Sequence, residues 1–267
     1  MRYALLADVH GNLAALQAVL AEVRRRGVDG YLVAGDLVGY GPEPNACVEL
    51  VAGLGAVCVA GNHDLIALDR LSDERCIELA RASLRWTRDV LRDDTRAYLA
   101  RLGLRAEAPG GVVIAHGSLD DPQCYVDSAV AGMGQLRRLA AERPGARALV
   151  LGHTHVPLAC TLAGRHRPRR AFALPREGPA LLNPGAVGQS RDLRARARFA
   201  ILDLERGSVT FDAIPYDVEA CHAALSRAGL APSSCHLRPS PARAFARLLR
   251  RSADYALAAR AAHRAGN

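Results

Sequence analysis

Apolar residues along the chain fall into two alternating patterns: short continuous runs, and longer stretches in which they recur every three or four positions. Residues 2–7, RYALLA, read as a buried strand. Residues 12–27, NLAALQAVLAEVRRRG, place Leu13, Leu16, Val19, Leu20 and Val23 at helical spacing. Asn12 is suited to cap that helix and Gly27 to stop it. GYLVAGD (30–36) is the next strand, PEPNACVELVAGLG (42–55) the next helix and AVCVAGNHD (56–64) the strand after that. This order predicts an α/β fold with parallel strands joined by right-handed crossovers.

Residues 65–103 show no strand pattern, and their mix of apolar residues, arginines and acids predicts two or three inserted helices. Strands resume at GGVVIAHGS (110–118) and ARALVLGHTH (146–155), with a helix around GMGQLRRLAAERPG (132–145) between them. Residues 158–174 read as a hairpin with a basic tip, and ALLNPGAVGQSRD (180–192) as a strand entering a glycine-rich turn. Residues 197–216 read as an antiparallel hairpin turning at Arg206-Gly207, followed by an Ala/Arg-rich helical tail. No internal repeat or long linker appears, so the chain is read as one domain over 1–214 with a helical extension over 215–267 packed on it.

Composition narrows the classes. At 267 residues, half of them hydrophobic, the chain is long enough to bury a sizeable core. The opening apolar run meets Asp8 too early for a signal peptide, and no segment is long enough to span a bilayer. A cytoplasmic location is the default expectation. The seven cysteines are scattered and never spaced C-x-x-C, which argues against a disulfide framework and a thiolate zinc site. The net charge of +8 comes entirely from arginine, the chain having no lysine, and this points to a coding bias more than to a binding stripe. With only 4% aromatic residues for stacking, nucleic acid is not the expected primary partner. Nothing in the sequence fixes an oligomeric state.

Chemistry collects at five strand ends: Asp8 and His10 in ADVHGN, Asp36 in AGDLVGYG, Asn62, His63 and Asp64 in AGNHD, His116 in IAHGS, and His153 and His155 in LGHTH. Parallel sheets bind ligands beyond the carboxyl ends of their strands, so distant segments converge there. In extended chain, residues i and i+2 share a face, which lets Asp8 with His10, and His153 with His155, each address one pocket. Oxygen and imidazole donors without sulfur favour Mn, Fe, Co, Ni or Zn. Asp8, Asp36, Asn62, His10, His116, His153 and His155 are seven such donors, which exceed one four-coordinate ion and suit two that share a carboxylate.

These five blocks, in this order, resemble the calcineurin-like metallophosphoesterase superfamily over roughly residues 1–213. LLNPGAVGQSRD is similar to a segment of its small bacterial and archaeal phosphodiesterase branch. The resemblance implies a four-layer α-β-β-α sandwich of two mixed sheets, with the site at one edge. It implies two divalent ions, Mn²⁺ first, with Fe, Ni, Co and Zn as alternatives. One would be held by Asp8, His10, Asp36 and His155; the other by Asp36, Asn62, His116 and His153. Asp36 would bridge, and a shared hydroxide would attack the substrate. His63 would protonate the leaving oxygen, with Asp64 orienting its ring.

One departure narrows the substrate. The protein-phosphatase branch reads G-D-x-x-D-R-G after the bridging aspartate, whereas GDLVGYG puts Gly39 and Tyr40 where the Asp-Arg pair would stand. Loss of that guanidinium argues against a phosphoprotein dianion and for a small phosphodiester. Arg191 is a candidate replacement cation, against a plain surface arginine. Tyr40 is a candidate pocket residue, against a structural tyrosine packed on PEPN. The alternatives are a phosphomonoesterase, a nucleotide pyrophosphohydrolase or a protein phosphatase-like enzyme on the same site, and a non-catalytic scaffold of the same fold. The inserted helices and the 158–174 hairpin are expected to wall the pocket.

Overall fold

The computed structural model describes residues 1–166 and 171–242. The tip of the expected 158–174 hairpin and the tail beyond residue 242 lie outside the described residues.

β1 (Arg2–Leu6), β2 (Gly30–Val33) and β3 (Val57–Cys58) pair in parallel, joined by α1 (Leu13–Arg26) and α2 (Pro44–Gly53). The Asn12 side chain accepts from the Ala15 amide at 3.1 Å and caps α1; Gly27, at φ 69°, ends it. Next come α3 (Asn62–Ala67), α4 (Glu78–Val90) and α5 (Asp93–Ala100), so the stretch read as a helical insertion is helical. On α4, Ala80, Ser83, Leu84 and Thr87 are buried at i, i+3, i+4 and i+7, the signature of one inward face.

The second sheet begins with β4 (Arg105–Ala108) and β5 (Val112–Ala115), continues through α6 (Ala129–Glu142) and β6 (Ala148–Val150), and takes in β7 (Leu158–Thr161), β8 (Gly164–His166) and β10 (Ala180–Asn183). Its order is β4-β5-β6-β10-β7-β8. The first sheet is completed by β11 (Ala197–Asp203), β12 (Ser208–Ile214) and β9 (Ala171–Ala173), in the order β3-β2-β1-β11-β12-β9. Both sheets mix parallel and antiparallel pairs.

Three apolar layers hold the sandwich together. Leu16, Val19 and Leu20 of α1 pack on Ala4 and Leu6 of β1 and on Phe199 and Ile201 of β11. The alternate residues Tyr3 and Leu5 face the other way and meet Ile114, Val150 and Leu182 of the second sheet. That sheet's outer face, with Val113, Leu149 and Leu181, is covered by Leu136 and Leu139 of α6. Strands buried on both faces read as continuous apolar runs rather than alternating ones, which is how RYALL and VVIA appear in the sequence. The result is the four-layer α-β-β-α order.

After β12, α7 (Val218–Arg227) places Cys221 and Leu225 against Ala14 of α1, and a 3₁₀ turn (Pro232–Ser234) follows. Among the described residues no disulfide joins the seven cysteines, and four of them are buried. Among the described residues, no helix is long and apolar enough to cross a membrane.

Two expectations need correction. The stretch 158–174 is not a single hairpin: β7 and β8 pair in the second sheet, but β9 crosses to pair with β12 in the first. Strand β4 is invisible in the sequence, because RAEA carries no apolar run; it forms as an edge partner of β5 and buries only Ala108 fully.

Candidate metal centre

Past the ends of β1, β2 and β6, the chain turns sharply. Among the described residues seven non-glycine positions have positive φ, and five of them are Asp8 (55°), His10 (49°), Asp36 (55°), His153 (65°) and His155 (57°). The paired ligands therefore do not sit in extended chain. They reach one pocket because each is held in a left-handed turn rather than by strand alternation, which corrects the geometric reason given from sequence while leaving its outcome.

Backbone hydrogen bonds fix these turns. The Asp8 amide donates to Gly35 O (3.1 Å), the His10 amide to Asp36 O (2.9 Å) and the Gly188 amide to Asp8 O (2.9 Å). One oxygen of Asp8 accepts the His153 amide (2.9 Å), tying the first and last ligand segments together, and Asp36 Oδ1 accepts the His63 amide (2.8 Å).

The imidazoles are aimed in the same way. The Nδ1 atoms of His10, His116 and His155 meet the carbonyl oxygens of Val38 (3.1 Å), Ala34 (2.7 Å) and Gln189 (2.9 Å). A carbonyl only accepts, so each Nδ1 carries a proton. In the neutral ring the Nε2 lone pair is then the free one, the arrangement that backbone carbonyls impose on metal-binding histidines. Those Nε2 atoms converge. His10 and His155 stand 3.1 Å apart; Asp36 Oδ2 lies 3.5 Å from His10 Nε2 and 3.2 Å from His116 Nε2; Asn62 Oδ1 lies 3.1 Å from His116 Nε2.

The donor atoms form two groups, Asp8-His10-Asp36-His155 and Asp36-His116-His153, each lying within 4.8 Å of one another and all buried. Asp36 belongs to both. Asp8 Oδ2 and His153 Nε2 are buried with no hydrogen-bond partner. A buried polar atom costs free energy when unpaired, and two imidazole lone pairs facing each other repel. A divalent cation in each group removes both penalties, so the residues fit a pair of metal ions.

Electrostatics agree. Burial holds His10 and His155 well below the usual imidazole range and takes His153 down to about 3, so all three are neutral, as ligands must be. Burial pushes the Asp8 carboxyl up to about 7. Burial also opposes the charge of Asp36 and of His116, but their mutual attraction wins: Asp36 is held well below its ordinary value and His116 is raised to about 9. A bound cation would take the place of that proton.

The groups open onto a cavity of about 290 Å³ lined by Asp36, Asn62, His63, His153 and His155 on one side. Arg191 and Tyr40 line it as well, and Arg75, Cys76, Ile77 and Ala80 of the inserted stretch form a wall. None of the described residues of 158–174 lines it, and the tip of that segment lies outside the described residues. Tyr40 packs its ring on His10 and His63, at 4.7 Å from each, and its amide donates to Ser83 Oγ of α4 (3.0 Å).

His63 is buried at the cavity wall, and its Nδ1 has no hydrogen-bond partner. Asp64 is placed differently from the expectation. Its Oδ1 accepts the amides of Leu37 (2.9 Å) and Val38 (3.1 Å), and its Oδ2 that of Gly61 (2.9 Å). The carboxylate is committed to backbone and staples the start of α3 to the loop after β2; it makes no hydrogen bond to the His63 ring. Gly39, at φ 80°, has the reason sequence alone could not give: a Cβ there would lie 2.3 Å from His63 Nδ1. Gln189 escapes notice in the sequence because a lone glutamine in a turn carries no signal. It is fully buried, its carbonyl orients His155, and its Oε1 accepts from Arg191 Nε at 3.3 Å.

The family described as Calcineurin-like phosphoesterase has a sequence profile that matches residues 1–157. The fold is similar to that of a metallophosphoesterase from Sphaerobacter thermophilus, with a TM-score of 0.75 and 34% identity, covering 88% of this chain and 97% of that one. An uncharacterized protein from Methanocaldococcus jannaschii is 30% identical over 229 residues, 81% of this chain and 88% of that protein. A symmetrical bis(5′-nucleosyl)-tetraphosphatase from Pectobacterium carotovorum is 34% identical over 119 residues, 38% of this chain and 42% of its own length.

Proposed function

The chain belongs to the calcineurin-like phosphoesterase family, and from that premise we propose that it is a two-metal phosphodiesterase acting on small organic or nucleotide phosphodiesters. The observation that carries this reading is the pair of buried ligand groups sharing Asp36. Asp8, His10, Asp36 and His155 would hold one ion, and Asp36, Asn62, His116 and His153 the other. Bound there, two divalent ions would neutralise phosphoryl charge and supply a water acidic enough to serve as nucleophile at neutral pH.

The chain's own residues do the rest. His63, on the cavity wall beside both groups, donates a proton to the departing oxygen. Asp64 holds the loop that presents it. Arg191, kept in place by Gln189, faces a non-bridging phosphoryl oxygen. Tyr40 closes the wall behind His10 and His63. The donor set accepts several first-row ions, and Mn²⁺ is the ion of choice for reconstitution.

Two observations support a diester over a monoester. The loop that follows Asp36 carries Gly39 and Tyr40 where a dianion-gripping Asp-Arg pair would stand, and the cavity wall bears the apolar side chains of Ile77, Ala80 and Leu237. Arg191 in the cavity supports the second reading, a phosphomonoesterase, because a guanidinium can grip a dianion.

Asp36→Asn tests the shared-ligand arrangement. Elemental analysis after dialysis against Mn²⁺ is expected to show about two ions per chain in the parent protein and loss of both together in the variant. Loss of one ion with the other retained would contradict the bridging role.

A further inference from the structure

Seven large hydrophobic side chains are exposed among the described residues, and two of them, Ile77 at 52% and Tyr125 at 54%, sit on the rim of the metal cavity. They come from unrelated segments. Ile77 immediately precedes α4, and Tyr125 lies in the loop between β5 and α6. Leu237, from the segment after the 3₁₀ turn, joins the same lining. In a chain with few aromatic residues, an exposed tyrosine and isoleucine converging on one opening call for an apolar, planar occupant.

Tyr125 is also positioned with respect to the reaction centre. Its ring centroid is 4.3 Å from that of His153, so whatever stacks on Tyr125 lies one ring away from a metal ligand. Arg75 completes the rim. Its side chain is 61% exposed, and its guanidinium is held by contacts at the long end of the hydrogen-bond range: 3.4 Å to Asp121 Oδ2, 3.3 Å to Gln123 Oε1 and 3.4 Å to Gln123 O. Contacts of this length are readily exchanged, and a guanidinium plane stacks on flat rings while its edge donates hydrogen bonds.

We propose that this rim is a nucleoside subsite: Tyr125 and Ile77 hold a nucleobase, Arg75 lies against its face or edge, and the phosphodiester beyond the sugar reaches the metal groups. The site thereby selects nucleotide diesters over simple alkyl ones. This rests on the phosphodiesterase reading above.

The test compares two esters that both release p-nitrophenol, the p-nitrophenyl ester of thymidine 5′-monophosphate and methyl p-nitrophenyl phosphate, on Mn²⁺-loaded protein. The bond broken is the same, so the ratio of kcat/KM reports the group that stays on phosphorus. A ratio of about tenfold or more in favour of the thymidine ester is expected, about 1.4 kcal/mol and within the range of stacking one base on an aromatic side chain. Ile77→Ser, at an exposed rim position that is not itself a candidate metal ligand, and Tyr125→Ala are each expected to bring the ratio down toward one. A parent ratio near one, or a ratio unchanged in both variants, overturns the subsite and leaves the phosphodiesterase reading standing. Absence of Mn²⁺-dependent turnover of either ester overturns that reading, and the subsite with it.

Discussion

Five candidate metal ligands held at positive φ, each costing on the order of 1 kcal/mol or more, would not persist unless their surroundings over-determined them. The surroundings are backbone hydrogen bonds that reach between segments: Gly188 to Asp8, His153 to Asp8, His63 to Asp36. Residue types and order made these positions legible in the sequence, because Asp, Asn and His beside glycine at five strand ends make a donor set that packing alone does not call for. What was not legible was how they converge, since the left-handed turns depend on partners distant in sequence, from Gly35 and His63 to His153 and Gly188. Gln189, Arg75 and Tyr125 were missed for the same reason: each acquires its part only when loops close. At this scale the sharpest expectation concerns His63. If it protonates the leaving oxygen, His63→Ala retains its bound Mn²⁺ but loses about 10²-fold or more on esters with poor leaving groups, and distinctly less on activated nitrophenyl esters. Equal losses on both classes, measured by steady-state kinetics, would remove the general-acid role.

Between residue and fold stand the elements that carry the ligands, and Asp64 shows how they are joined. Read from the sequence, an acid beside His63 is a partner for its ring. In the structure the same carboxylate accepts three amides and fastens α3 to the loop after β2, which carries Asp36, Gly39 and Tyr40. Sequence adjacency suggested the wrong neighbour because the start of a helix turns the third residue back toward its own cap. Asp64→Ala strands buried amides and is expected to cost about 3 kcal/mol or more, seen as a lower thermal midpoint in protein stripped of metal. A midpoint unchanged in the stripped protein would mean that the staple is dispensable and that Asp64 acts at the metals instead. Helices α1, α2 and α6 and the buried strands were readable because their apolar spacing is strong. The edge strand β4 and the crossing strand β9 were not, since edge pairing needs no apolar run.

Across the whole molecule, two sheets bury their facing sides against each other and their outer sides under helices, which leaves the strand ends as the place where polar loops gather. The sandwich order and the site at its edge follow from that closure. The inserted stretch before α4 supplies one cavity wall, and the loop before α6 supplies another. In the proposed function, this arginine-rich α/β sandwich holds two ions sharing Asp36 at its edge and cleaves phosphodiesters there. Protein stripped of metal and reloaded with Mn²⁺ is assayed for turnover of bis-p-nitrophenyl phosphate against p-nitrophenyl phosphate. Metal-dependent turnover with the diester faster is the expected result. A faster monoester would make Arg191 the grip for a dianion and the phosphomonoesterase reading the right one, and no metal-dependent turnover of either would contradict the claim itself.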